Sequence, residues 1–357
     1  MKKYFLAVLS GLFLITACSD KLAPVAKNAV IPTIITEKTP NDTDDPAIWI
    51  DHQNPSNSLI IGTDKEMGGG LYAYNLDGKI VRKFIDMKRP NNVDIAYGML
   101  INGKKTDIAV ATERKTQKIR IFSLPDLLPV DNGGIDIFTG ETGEDERDGM
   151  GIALYTKKDG TTTTIYAIVG RKTGPSGSYL WQYKLEDAGN GNVTAKVVRK
   201  FGTYSGKKEI EAIAVDDEAG FVYYSDETAG VRKYYADPER NDDTELAFFA
   251  RKDAKRDHEG IALYKTGEKE GYILVSNQQK NTFLVYAREG TDGNIHQHEL
   301  LAEIPVSTIE CDGADAVNFN FGPRFPKGFL VAMSNGMVFH LYEWSTIQQR
   351  IDEQIKK

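Results

Sequence analysis

Acidic residues recur at the entry to short apolar runs: Asp45-Pro-Ala-Ile-Trp, Asp94-Ile-Ala-Tyr, Glu211-Ala-Ile-Ala-Val, Glu259-Gly-Ile-Ala-Leu and Asp312-Gly-Ala-Asp-Ala-Val. Asp42, Asp44, Asp226, Glu227 and Asp257 extend the set. Carboxylates are hard oxygen donors, and with no cysteine or histidine cluster beside them they suit Ca2+ over zinc or copper. Brought to one place, such anions repel one another, and several bound Ca2+ ions would relieve the repulsion. The competing reading is that each acid caps backbone groups where a strand begins, and Asn91-Asn92-Val93-Asp94 has the composition of such a turn.

Cations follow the neighbouring strands: Lys65, Arg114, Arg171 and Lys172. Singly, each is an ordinary solvated charge. Beside a metal cluster they suit a bound polyanion such as phosphate, with arginine as a bidentate fork and lysine as a point charge.

The elements that must carry these groups repeat. A sixth copy of the pattern, Met150-Gly-Ile-Ala-Leu-Tyr, has methionine in the acidic slot, and the six copies are spaced by 49, 56, 61, 48 and 53 residues. Each is followed by two more strand-like runs, for example LIIGTD from Leu59 and LYAYNL from Leu71, separated by Gly, Asn and Asp turns. This interval is that of propeller blades, and rotational repetition leaves few exposed sheet edges. The expected fold is all-β, a six-bladed β-propeller, with Ala29–Ile35 supplying the outer strand that closes the ring. A two-domain β-sandwich is the competing architecture, and it leaves the regular interval unexplained. Ile347, Ile351 and Ile355 at helical spacing predict a terminal helix.

The chain has 357 residues, 41% of them hydrophobic, and a net charge of −7, which disfavours disorder and a nucleic-acid partner. Two cysteines exclude a disulfide framework. Lys2 and Lys3 precede an apolar run from Tyr4 to Ile15, too short to span a bilayer, and Ile15-Thr16-Ala17-Cys18 resembles a bacterial lipobox. The expected organisation is a lipoprotein signal peptide over 1–17, a lipidated Cys18 with a tether to 28, a propeller over 29–345 and a helix over 346–357. The protein would then be a monomer anchored by its N-terminal lipid to a bacterial envelope membrane, outer or periplasm-facing. An ordinary signal peptide is the alternative. Cys311 is expected to be buried filler.

The motifs resemble a known family, the β-propeller (alkaline) phytases. Asn41-Asp-Thr-Asp-Asp45-Pro-Ala-Ile-Trp49 is similar to its DAADDPAIW signature and Asn91-Asn-Val-Asp-Ile95 to its NNVD segment. The similarity continues through Tyr223-Tyr-Ser-Asp-Glu227, Asp257-His-Glu-Gly260 and Asp312-Gly-Ala-Asp, from about Asn41 to Trp344. It implies a propeller that releases phosphate from phytate (myo-inositol hexakisphosphate) as a 3-phytase, using calcium. Asp44, Asp45, Glu211, Glu227, Asp257, Glu259 and Asp312 match calcium-binding acids, Lys65, Arg114 and Arg171 match phosphate-binding cations, and Glu37, at a different spacing, stands for an upstream calcium-binding Glu. The chain departs from the pattern at Met150, where the family has a tyrosine, at Ala96, and at Glu66, where a second lysine is usual.

The expected mechanism is attack by water on a phosphomonoester, with calcium held by Glu211, Glu227, Glu259 and Asp312, with Lys65, Arg114 and Arg171 neutralising phosphoryl charge, and with Lys172 joining them in binding substrate. The five histidines form no recognisable pair and no RHGxRxP motif occurs, so no phosphohistidine is needed. Two alternatives are a calcium-dependent propeller lactonase or esterase, which has little use for the cations, and a non-catalytic propeller that captures inositol phosphates or a partner.

Overall fold

A computed structural model describes residues 22–356, so the leader, the lipobox and Cys18 lie outside the described residues. Six antiparallel sheets account for almost every strand. Blade one comprises Thr43–Trp49, Leu59–Asp64, Gly70–Tyr74 and Ile80–Ile85 in that order, and blades three, four and five follow the same plan, starting at Gly149, Ile213 and His258. Blade two starts at Pro90 and carries an extra two-residue strand, Leu128–Pro129.

Blade six joins Ala314–Val317, Phe329–Ser334 and Val338–Glu343 to Ile34–Ile35, so the two ends of the propeller share one sheet. First strands of successive blades touch all the way round, which closes the ring about a channel. The expected six-bladed propeller is therefore the observed fold.

The aliphatic and aromatic periodicity seen in the sequence has a direct consequence in the packing. The described residues form six hydrophobic clusters, each between two adjacent blades: Val110 and Ile152 meet between blades two and three, Ile48 and Phe339 between blades one and six. Fully burying such a side chain contributes about 1.5–3 kcal/mol. The C-terminal helix, Trp344–Ile355, buries Trp344, Ile347 and Ile351, with Trp344 stacked 3.4 Å from Tyr264. Upstream of Ile34 an arm crosses blades five and six. Val30 bridges to Val306, Ala23 N donates to Gln279 O at 2.8 Å, and Asn281 Nδ2 donates to Ala23 O at 2.7 Å.

Candidate active site

Four of the six first strands enter the channel through the same irregularity. In blade one Thr43 pairs with Asp64 and pairing resumes only at Pro46 opposite Gly62, so Asp44 and Asp45 bulge between them. Asn91 and Asn92, Met150 and Gly151, and Glu259 and Gly260 bulge in the same way in blades two, three and five. Blades four and six begin pairing at Ile213–Tyr224 and Ala314–Ala332, with Ala212 O and Gly313 O accepting from the strand beside them, and this sets Glu211 and Asp312 in the same place. In blades three and six the residue after the ring position is glycine where the backbone is crowded: a Cβ on Gly151 would fall 2.0 Å from Glu211 O, and one on Gly313 2.6 Å from the Asp45 Cα.

The residues at one ring of the mouth are therefore Asp44, Asn91, Met150, Glu211, Glu259 and Asp312. This corrects the expected ring at two positions. Asp45 lies one residue further on and accepts Val93 N at 3.1 Å; Asp94 lies three further on and accepts Leu154 N at 2.7 Å. Both carboxylates tie their own blade to the next, as Asp315 does by accepting Ile48 N at 2.9 Å. The capping role weighed for Asp94 is the one it fills, and Asn91 stands in its ring position.

Cations are placed by register too. The residues that follow the second strands are Lys65, Arg114, Lys172, Glu227, Gln278 and Asn335. Lys65 Nζ sits 2.8 Å from Asp44 Oδ1 and 2.6 Å from Asp312 Oδ2. Burial alone would lower its pKa, but Asp44, Asp312 and Glu211 outweigh burial and hold the ammonium charged. Arg114 leans on Asp148, Nε to Oδ2 3.3 Å, and Lys172 contacts Glu209. Arg171 does not join them. One residue too early, it is fully buried, its guanidinium 4.8 Å from the Phe138 ring and bonded to Glu141 Oε2, Glu146 O and Ser178 O. Glu37 is on the outer rim, accepting from Ile80 N and Lys79 Nζ.

Inside the ring Asn91 Nδ2 donates to Asp44 Oδ2 at 3.0 Å and to Glu211 Oε1 at 2.6 Å. Carboxylate oxygens of Glu209, Glu211 and Glu227 lie within 4.8 Å of one another, as do those of Glu227, Asp257 and Glu259, so Glu227 belongs to both groups. Glu209 was absent from the sequence reading, and so was Lys208, whose Nζ reaches 3.1 Å from Asp257 Oδ2 and 2.5 Å from Glu227 Oε2. Asp226 instead anchors Ser205 and Arg232, and the His258 ring turns to Ala250 O. Cys311 is buried, as expected of filler.

The electrostatics follow. Burial, then Asp44 and Asp312, hold the Glu211 carboxyl well above its usual range. Burial, then Glu227 and Glu211, do the same for Glu259, and Glu227 is pushed up to about 7 by burial and by Glu209 and Asp257 against Lys208. Glu227 Oε1, Asp257 Oδ1 and Glu259 Oε2 have no hydrogen-bond partner among the described residues, although their residues are nine-tenths or more buried. Unpaired buried carboxylate oxygens are costly, and hard divalent cations fit this all-oxygen donor set.

A family model described as Phytase matches residues 6–356. The chain is 31% identical over 326 residues to the 3-phytase of Bacillus subtilis (strain 168), covering 87% of this chain and 81% of that protein. Among solved structures, the β-propeller domain of Cps50 (Swd1) from Myceliophteria thermophila is similar with a TM-score of 0.48 at 10% identity, over 84% of this chain and 83% of that one. The Dos1 propeller gives 0.44 at 10%, over 85% and 68%.

Proposed function

The chain belongs to the phytase family and is a phytase, and on that premise we propose that it is a calcium-dependent 3-phytase acting at the channel mouth. The observation that carries this reading is the interleaving of Asp44, Glu209, Glu211, Glu227, Asp257, Glu259 and Asp312 with Lys65, Arg114 and Lys172 at one opening.

Seven carboxylates against the four cations paired with them, Lys65, Lys172, Lys208 and Arg256, leave three negative charges for divalent ions to offset. Two three-carboxylate groups sharing Glu227 supply two positions for them. Bound calcium would supply Lewis acidity toward phosphoryl oxygens and lower the pKa of a coordinated water.

The chain's own residues do the rest. Lys65 and Lys172 present point charges, and Arg114 a planar fork, to the phosphate groups of the substrate. Asn91 fixes the Glu211 carboxylate, and Ser225 Oγ fixes the strand that carries Glu259 by donating to Glu259 O at 2.9 Å. Met150 offers no hydroxyl where the family has tyrosine, so orientation of the substrate falls to the cations.

Phosphate release from phytate with added calcium and again with chelator tests the reading, and identification of the first inositol pentakisphosphate product tests the 3-position. Undiminished release in chelator would remove the calcium role. A lipid on Cys18, tested by mass spectrometry of the mature N-terminus, would anchor this monomeric enzyme to a bacterial envelope membrane.

A further inference from the structure

Lys208 stands apart from the other cations of the mouth. Lys65, Arg114 and Lys172 follow second strands, whereas Lys208 lies in the segment leading into blade four, one residue before Glu209 and three before Glu211. Its ammonium reaches two of the three carboxylates in the group of Glu227, Asp257 and Glu259, at 2.5 and 3.1 Å. Arg256 adds a second cation, its Nε 3.7 Å from Asp257 Oδ1; two charges still fall short of three carboxylates, and each of these residues keeps a buried oxygen without a hydrogen-bond partner among the described residues. The Lys208 side chain is 34% exposed and comes from a stretch outside any strand, so its stem can swing outward without breaking sheet pairing.

We propose that Lys208 is a tethered competitor for metal: its ammonium holds the group of Glu227, Asp257 and Glu259 together when cations are scarce, yields the position to a divalent ion, and swings to the rim to take up a substrate phosphate. The proposal rests on the reading that divalent cations bind this ring. A divalent ion with several oxygen ligands outcompetes one ammonium at sufficient concentration, because it satisfies oxygens that a single lysine cannot reach. The same side chain is then a cation without a counterion at the edge of a site for a polyanion. Metal occupancy and substrate affinity become linked through it, with no other part of the propeller moving.

The test uses Lys208→Met, which keeps the stem and removes the charge, beside Lys208→Arg, which keeps the charge. Titration with calcium chloride alone, followed by calorimetry, should show calcium binding to Lys208→Met tighter than to the parent by about tenfold, within the usual range of coupling between two ligands. The chelated variant should melt below the chelated parent, and its KM for phytate should rise. Lys208→Arg should stay near the parent in all three. Equal calcium affinity in parent and Lys208→Met, or weaker affinity in the variant, overturns the competition. Failure of the parent itself to take up calcium overturns the metal reading of the ring, and this proposal with it.

Discussion

Asn91 and Glu211 belong to blades two and four, yet the Asn91 amide nitrogen lies 2.6 Å from Glu211 Oε1, reaching past the blade that carries Met150. Glu211 is thus held by a neighbour two blades away while burial and the charges of Asp44 and Asp312 oppose its ionisation. Glu211→Gln keeps the shape and removes the charge. Phosphate release should fall about a hundredfold or more, since even outer-shell partners of a metal typically cost 10–100-fold. The chelated variant should melt no lower than the parent, and a fall in its melting temperature would mean that Glu211 serves the fold.

Calcium should stabilise the propeller. At a free concentration of about 100 times its Kd, one ion adds about 2.7 kcal/mol. Magnesium, which prefers six ligands at short distances and gives up water reluctantly, should raise the melting temperature less. Thermal melts in chelator, calcium and magnesium give the order; identical melts in all three would leave the crowded carboxylates without counter-cations.

Arg171 and Lys172 are neighbours with opposite expected phenotypes. Arg171→Met leaves Glu141 without its buried partner and three hydrogen bonds unmade, a loss of about 3 kcal/mol or more, with KM for phytate little changed. Lys172→Met should raise KM several-fold and barely move the melting temperature. Denaturant unfolding and steady-state kinetics on both variants separate the two roles, and a KM effect confined to Arg171 would reverse the assignment.

Lys233 is fully buried, its ammonium 4.0 Å from the Phe221 ring centre, 2.5 Å from Ile295 O and 3.3 Å from His298 Nε2. Burial pulls its pKa down from 10.5 to about 7 against the pull of Asp216, and burial pushes His298 down to about 4. Between pH 7 and 10.5 the unfolded chain therefore holds a proton that the folded one has released, so stability rises with pH across that window. Lys233→Met removes this dependence. The parent should gain on the variant in melting temperature from pH 7 to 10, and parallel profiles would show that Lys233 stays charged.

The blades were legible because burial between sheets imposes apolar runs at a regular interval. The site was legible only to within a residue or three, and the bulge is the reason. In four of the blades two residues escape pairing there, and nothing in composition tells which of them faces the channel, so Asp45 stood for Asp44. In blade two the acid Asp94 drew attention from Asn91, although it serves as a tie to blade three. Arg171 and Lys172 posed the same difficulty at a strand end, where one residue decides between core and mouth. Glu209 and Lys208 lie ahead of their strand and share no repeat with other blades, so periodicity carried no signal for them.

Gln279 receives Ala23 on its carbonyl and holds Asp257 Oδ2 through its side chain at 2.8 Å. The third strand of blade six runs the other way, from Val338 at the mouth to Glu343 at the far side, and there hands over to the helix. The helix then turns back along the outer strand of blade five, so that Gln354 pairs with the Glu303 backbone, whose side chain meets Asn277 and Lys280 beside the mouth. A bead or carrier coupled upstream of Ala23 or after the helix therefore sits on the rim of the same face, the one that substrate enters.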